Sequence, residues 1–116
     1  MKFAKYQKYI KYAEMVRESE GIDCTFDWHY GGAGYFSPSE QRIRIGLGDL
    51  KNTYRVEWSR GEALYDAHVK TAEDRMRWII LHELTHAKLQ AMEYTDAHNK
   101  TFYQVLERMA KQYLYV

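Results

Sequence analysis

The sequence predicts an α+β chain: an N-terminal helix, a small and mainly antiparallel sheet, a central helix and a C-terminal helix. Three observations carry that prediction. Residues 71–92 repeat apolar side chains with a helical period behind a capping signal. Residues 22–28 and 42–47 alternate apolar and polar side chains with period two, which suits strands covered on one face. The glycines at 21, 31, 32 and 34, with Pro38, fall between these segments.

A chain of 116 residues is expected to form one domain, residues 1–116, with a modest core. The apolar fraction of 46% and charged fraction of 28% suit a water-facing globule. A net charge of +1 supplies no field that would draw nucleic acid, so bulk charge does not support a DNA-binding role. A local basic patch of Lys2, Lys5, Lys8, Lys11, Arg42 and Arg44 leaves that role open only as an alternative. Cys24 is the sole cysteine, which excludes an internal disulfide and a cysteine-rich zinc ribbon. No apolar run reaches membrane-span length and the N-terminus has no signal-peptide core. The expectation is a cytoplasmic protein without a membrane partner, or a mature product whose targeting segment is absent.

Taken in order, residues 2–19 read as a helix. Phe3, Tyr6, Ile10 and Ala13 make its apolar stripe, Tyr9 and Val16 broaden it, and Gly21 stops it. Residues 22–28 read as a strand. After the glycine run, Tyr35–Phe36 and residues 42–47 read as two arms of a hairpin around Pro38. Residues 54–58 alternate like an edge strand, and residues 60–69 read as a short helix or a structured loop over the cleft. Thr71 followed by Glu73 and Asp74 is a capping signal for a helix running to about residue 92. Thr95 or Asp96 then caps a last helix whose face is Phe102, Val105, Leu106, Met109 and Tyr113.

The central helix carries His82-Glu83-Leu84-Thr85-His86. Residues four apart on a helix are about 40° apart in projection and one turn along, so both imidazoles can reach one ion. Zinc accepts neutral imidazole nitrogens, and Glu83 is placed to take a proton from a zinc-bound water. With five histidines in the chain, this pattern arises by chance in about 2% of shuffled sequences, so the motif is informative. Its alternative is a helix that carries two structurally satisfied histidines. Angular spacing favours the metal. Met76, Ile80, Leu84, Ala87 and Ala91 share one arc, with Leu81 at its edge, while His82 and His86 lie on roughly the opposite side with Ile79 between them.

A catalytic zinc normally has three protein ligands. Glu93 lies on the histidine line but about 10 Å further along a straight helix, too far to ligate the same ion. His98, at the start of the last helix, reaches the metal if a turn near residues 93–95 folds that helix back. A backbone-satisfied His98 remains the alternative, and His29 and His68 are further candidates without a comparable geometric argument. Tyr103, Tyr94, Tyr35 and His29 are candidates for a donor to a developing oxyanion; Glu93 or Asp96 could orient the histidines from behind.

The residues His82-Glu83-Leu84-Thr85-His86-Ala87, followed by Ala97-His98-Asn99-Lys100-Thr101-Phe102-Tyr103, resemble those of the SprT-like zinc metallopeptidases. They are similar too to related small bacterial metallopeptidases with an H-E-L-x-H helix and a downstream H-x-x-x-F element. The resemblance spans about residues 34–106 and implies a zincin-like fold and a cytoplasmic zinc endopeptidase acting on a protein or peptide substrate. It also implies that His82, His86 and His98 ligate Zn2+, with Glu83 as general base. The chain departs from many SprT-like proteins in that these 116 residues hold no cysteine zinc ribbon, and the gap between its two elements is short. Two other readings stand beside it: a non-catalytic zinc-binding or regulatory module, and a DNA-associated protease.

Overall fold

The computed structural model describes residues 6–31, 34–47, 59–91 and 99–115. Within them the chain forms α1 (Gln7–Glu20), β1 (Thr25–His29), β2 (Gly34–Ser37), β3 (Arg42–Gly46), α2 (Ser59–His68), α3 (Ala72–Ala91) and α4 (Lys100–Tyr113). The α+β architecture is as expected from the sequence. The edge strand expected at residues 54–58 lies outside the described residues.

Helix α1 turns its buried face through Tyr9, Tyr12, Ala13 and Val16. The face is rotated slightly from the stripe the sequence suggested: Ile10 is only half-buried, and tyrosines take its place. A tyrosine can bury its ring while its hydroxyl finds a partner, and Tyr12 donates to the backbone carbonyl of Tyr113 at 3.2 Å. Gly21 ends the helix in the left-handed conformation (φ 65°, ψ 34°), and its N–H caps the carbonyls of Arg17 and Glu18. A residue with a Cβ is strained there.

The sheet corrects one expectation. It is mixed rather than mainly antiparallel, with strand order β1-β3-β2. β2 and β3 form the expected antiparallel hairpin, pairing Gly34 with Ile45 and Ser37 with Arg42. β1 runs parallel to β3, pairing Phe26 with Ile43 and Trp28 with Ile45. The short connection after β1 suggests an adjacent β2, yet β3 lies between them. Two strand spacings are about 10 Å, which a few residues bridge easily. This pairing sets Phe26 and Trp28 beside Ile43 and Ile45 on the face turned to the helices, where Ile43 and Ile45 are fully buried.

Helix α3 begins as the capping signal requires. Thr71 Oγ1 accepts the Asp74 N–H at 3.0 Å, and Asp74 Oδ2 accepts the Lys70 N–H at 3.0 Å. The helix is the centre of the molecule, packed by α1, by α4, and by β2 and β3. Residues 78–87 are buried without a break, so the helix is covered on every side. Of residues 60–69, open between helix and loop in the sequence, 60–68 fall within α2. That helix packs by Tyr65 and His68 against Trp78, with ring centroids at 5.9 and 6.3 Å. No helix among the described residues is long and apolar enough to cross a membrane.

The last helix is capped differently from the sequence expectation. Asn99 is the cap, its Oδ1 accepting the Phe102 N–H at 3.0 Å. Asparagine at this position satisfies one of the orphan donors of the first turn. Thr95 and Asp96 lie outside the described residues. The face of α4 then buries Phe102, Tyr103, Leu106, Met109, Ala110 and Tyr113.

Candidate metal centre

His82 and His86 are one turn apart on α3, each 8% exposed, with Glu83 between them in sequence at 7%. Their ring centroids are 5.0 Å apart with planes inclined at 68°. Two imidazoles holding one tetrahedral ion, each nitrogen about 2.0–2.1 Å away, bring their centroids to about 5 Å. The pair therefore has the spacing of two ligands to a shared zinc.

Phe102 covers this pair from α4. Its ring centroid lies 5.0 Å from that of His82 and 4.5 Å from that of His86. In the sequence Phe102 is both part of the apolar face of α4 and the fifth place of the H-x-x-x-F element; its ring lies against both imidazoles. Tyr103 follows on α4, buried, its ring edge-on to Phe102 at 5.3 Å. Burial holds its hydroxyl above the ordinary tyrosine pKa, so it keeps its proton as a donor near neutral pH.

On the opposite side the sheet comes close to the same helix. A Cβ at Gly34 would lie 3.0 Å from the carbonyl oxygen of Arg44 and 3.4 Å from Ile79 Cγ2. Ile79 sits one turn before His82, so the absence of a side chain at Gly34 lets β2 lie close against the histidine-bearing helix. Tyr35, next in the strand, is half exposed and points to the other face of the sheet, away from α3.

The remaining sequence candidates divide plainly. His29 Nδ1 accepts the Gly31 N–H at 3.1 Å, at the end of β1. His68 stacks on Trp78. Neither joins the histidine pair: among the described residues no His, Cys, Asp or Glu completes a three-donor metal group. His98, Glu93, Tyr94 and Asp96 lie outside the described residues. Within the basic patch, Lys8 pairs with Glu73 at 2.5 Å, Arg42 with Glu40 at 2.6 Å and Arg44 with Asp27 at 3.6 Å. Each pairing offsets a charge that a phosphate backbone would need.

Comparison of the chain with protein-family models, with characterised proteins and with solved structures finds no match.

Proposed function

We propose that the chain is a zinc-dependent metallopeptidase of SprT-like type, with a zincin-like site shared between α3 and α4. The observation that carries this reading is the seating of Phe102 on both imidazoles. It holds the first turn of α4, capped by Asn99, against His82 and His86. His98 directly precedes that cap, and consecutive Cα atoms are about 3.8 Å apart. Chain connectivity thus favours His98 as the third ligand.

His82, His86 and His98 would hold the ion, which when bound supplies an acidified water and a Lewis acid for a carbonyl oxygen. Glu83 takes the proton of the attacking water and passes it to the leaving amine. Phe102 excludes solvent from the flank of the imidazoles and fixes their orientation. Of the described candidates for an oxyanion donor, Tyr103 is the one packed against Phe102. A peptide substrate also suits the sheet. Among the described residues β2 has one unpaired edge, and an extended chain can add to such an edge by main-chain hydrogen bonds.

The test is metal content together with cleavage of an unfolded protein. Glu83→Gln should keep zinc and lose activity on the order of a hundredfold or more. His98→Ala should lose most of the metal. Normal zinc binding by His98→Ala overturns the third-ligand assignment, and full activity of Glu83→Gln overturns the mechanism. Zinc bound tightly by a wild-type chain that cleaves nothing would instead mark a binding or regulatory module.

A further inference from the structure

Away from the histidines, one carboxylate joins three helices. Glu20 is the last residue of α1, and its side chain is 7% exposed. The Arg108 guanidinium grips it with both nitrogens, Nη2 to Oε1 at 2.6 Å and Nη1 to Oε2 at 2.8 Å. Tyr113 donates its hydroxyl to Oε2 at 2.5 Å. Lys88 reaches Oε1 at 3.2 Å and the Glu20 carbonyl oxygen at 3.4 Å. Arg108 and Tyr113 belong to α4; Lys88 belongs to α3, two residues beyond His86.

The placement of these partners gives the cluster a consequence for the site. At 1.5 Å per residue, Arg108 and Tyr113 stand about 9 and 16 Å beyond Phe102 along α4, whereas Lys88 stands only about 3 Å beyond His86 along α3. Next to Arg108 on the same helix, Met109 Sδ meets Thr85 Oγ1 of α3 at 3.7 Å. Helix α4 is therefore fastened at its site end by Phe102 and over its C-terminal half by Met109 together with the Arg108 and Tyr113 contacts to Glu20. A bidentate guanidinium–carboxylate pair resists both sliding and rotation, which a single apolar contact does not.

We infer that Glu20 is a positioning residue: by fixing α4 against the His86 end of α3, it keeps Phe102 over the histidine pair. This rests on the two-helix metal site proposed above. Glu20 touches no reacting group itself, so it acts only through the seating of α4. Arg108 above all, with Tyr113 and Lys88, holds its carboxyl at about pKa 2 against the opposing push of burial, so the clamp is charged throughout the neutral range.

The experiment compares Glu20→Gln and Arg108→Gln with Val16→Ala, a fully buried position of α1 outside the cluster. Two quantities are read on each metal-free chain: the imidazole NMR signals of His82 and His86, and the zinc dissociation constant by competition with a chromophoric chelator. The Phe102 ring shifts signals of protons this close, so those signals report where α4 sits. Glu20→Gln should move both imidazole signals and weaken zinc on the order of tenfold. Arg108→Gln should do the same to a smaller extent and serves if Glu20→Gln does not fold. Val16→Ala should lower the melting temperature while leaving the imidazole signals and zinc affinity unchanged. Unmoved imidazole signals in the folded cluster variants overturn the inference, as does an equal change in Val16→Ala. A wild-type chain that binds no zinc, with imidazole signals that still move in Glu20→Gln, overturns the metal site and leaves the positioning role standing.

Discussion

Two polar clusters lie in the same layer of helices, and they are built in opposite ways. His82, Glu83 and His86 come from little more than one turn of α3. Glu20, Lys88, Arg108 and Tyr113 come from three helices, with Glu20 and Arg108 separated by 88 positions in the chain. In the first cluster helical periodicity alone brings the groups together. In the second, nothing does so until α1, α3 and α4 have packed. A site can thus be announced by local spacing while the framework that aims it leaves no local trace.

The contrast is sharpest at Phe102, the residue of α4 that touches the first cluster. It is fully buried, and its ring lies on both imidazoles. Phe102→Ala should cost about 3–5 kcal/mol in denaturant unfolding, the range for removing a buried aromatic ring. It should also raise the rate at which His82 and His86 react with an imidazole-directed reagent. A loss below about 1 kcal/mol would show that α4 is held without the site contact.

The second cluster predicts a pH dependence. Glu20 has its carboxyl lowered from 4.5 to about 2, foremost by Arg108. A carboxyl lowered on folding stabilises the native chain above its unfolded pKa, and that stabilisation fades as pH falls toward the native value. The contribution of Glu20, on the order of 2–3 kcal/mol, should be complete above about pH 4.5 and fade as pH falls toward 2. Urea midpoints of the wild type and Glu20→Gln should therefore converge on acidification. A gap that stays constant from neutral pH down would sink the assignment.

A smaller effect tests the sheet side of α3. Gly34→Ala places a methyl 3.0 Å from a backbone oxygen of the paired strand β3 and 3.4 Å from Ile79. Overpacking of this kind costs about 1–3 kcal/mol, and the close backbone contact should bring Gly34→Ala to roughly 1–2 kcal/mol in thermal unfolding. A neutral result would mean that β2 can lift from α3 at no cost.

Much of the fold was legible, and the reasons are particular. Gly21 stops α1 because its backbone takes the left-handed cap without strain. Thr71 and Asp74 start α3 through hydrogen bonds three and four residues long. The β2–β3 hairpin follows from Tyr35–Phe36 and the alternating run 42–47 on either side of Pro38. The α4 cap was misplaced because Thr95, Asp96 and Asn99 all carry capping side chains, and the choice among them falls where packing seats the first turn. Glu20 gave no signal, since a glutamate at a helix end ordinarily meets water.

Sequence by itself determined the pair of histidines, their spacing and the glutamate beside them, because a helix with 3.6 residues per turn brings i and i+4 together in any surroundings. Only the tertiary structure decided that β1 runs parallel to β3, that Phe102 rests on both imidazoles, and that Glu20 ties α4 to the His86 end of α3. These are contacts between segments distant in the chain. They carry no period, and they exist only once burial of the apolar faces has brought the helices and sheet together.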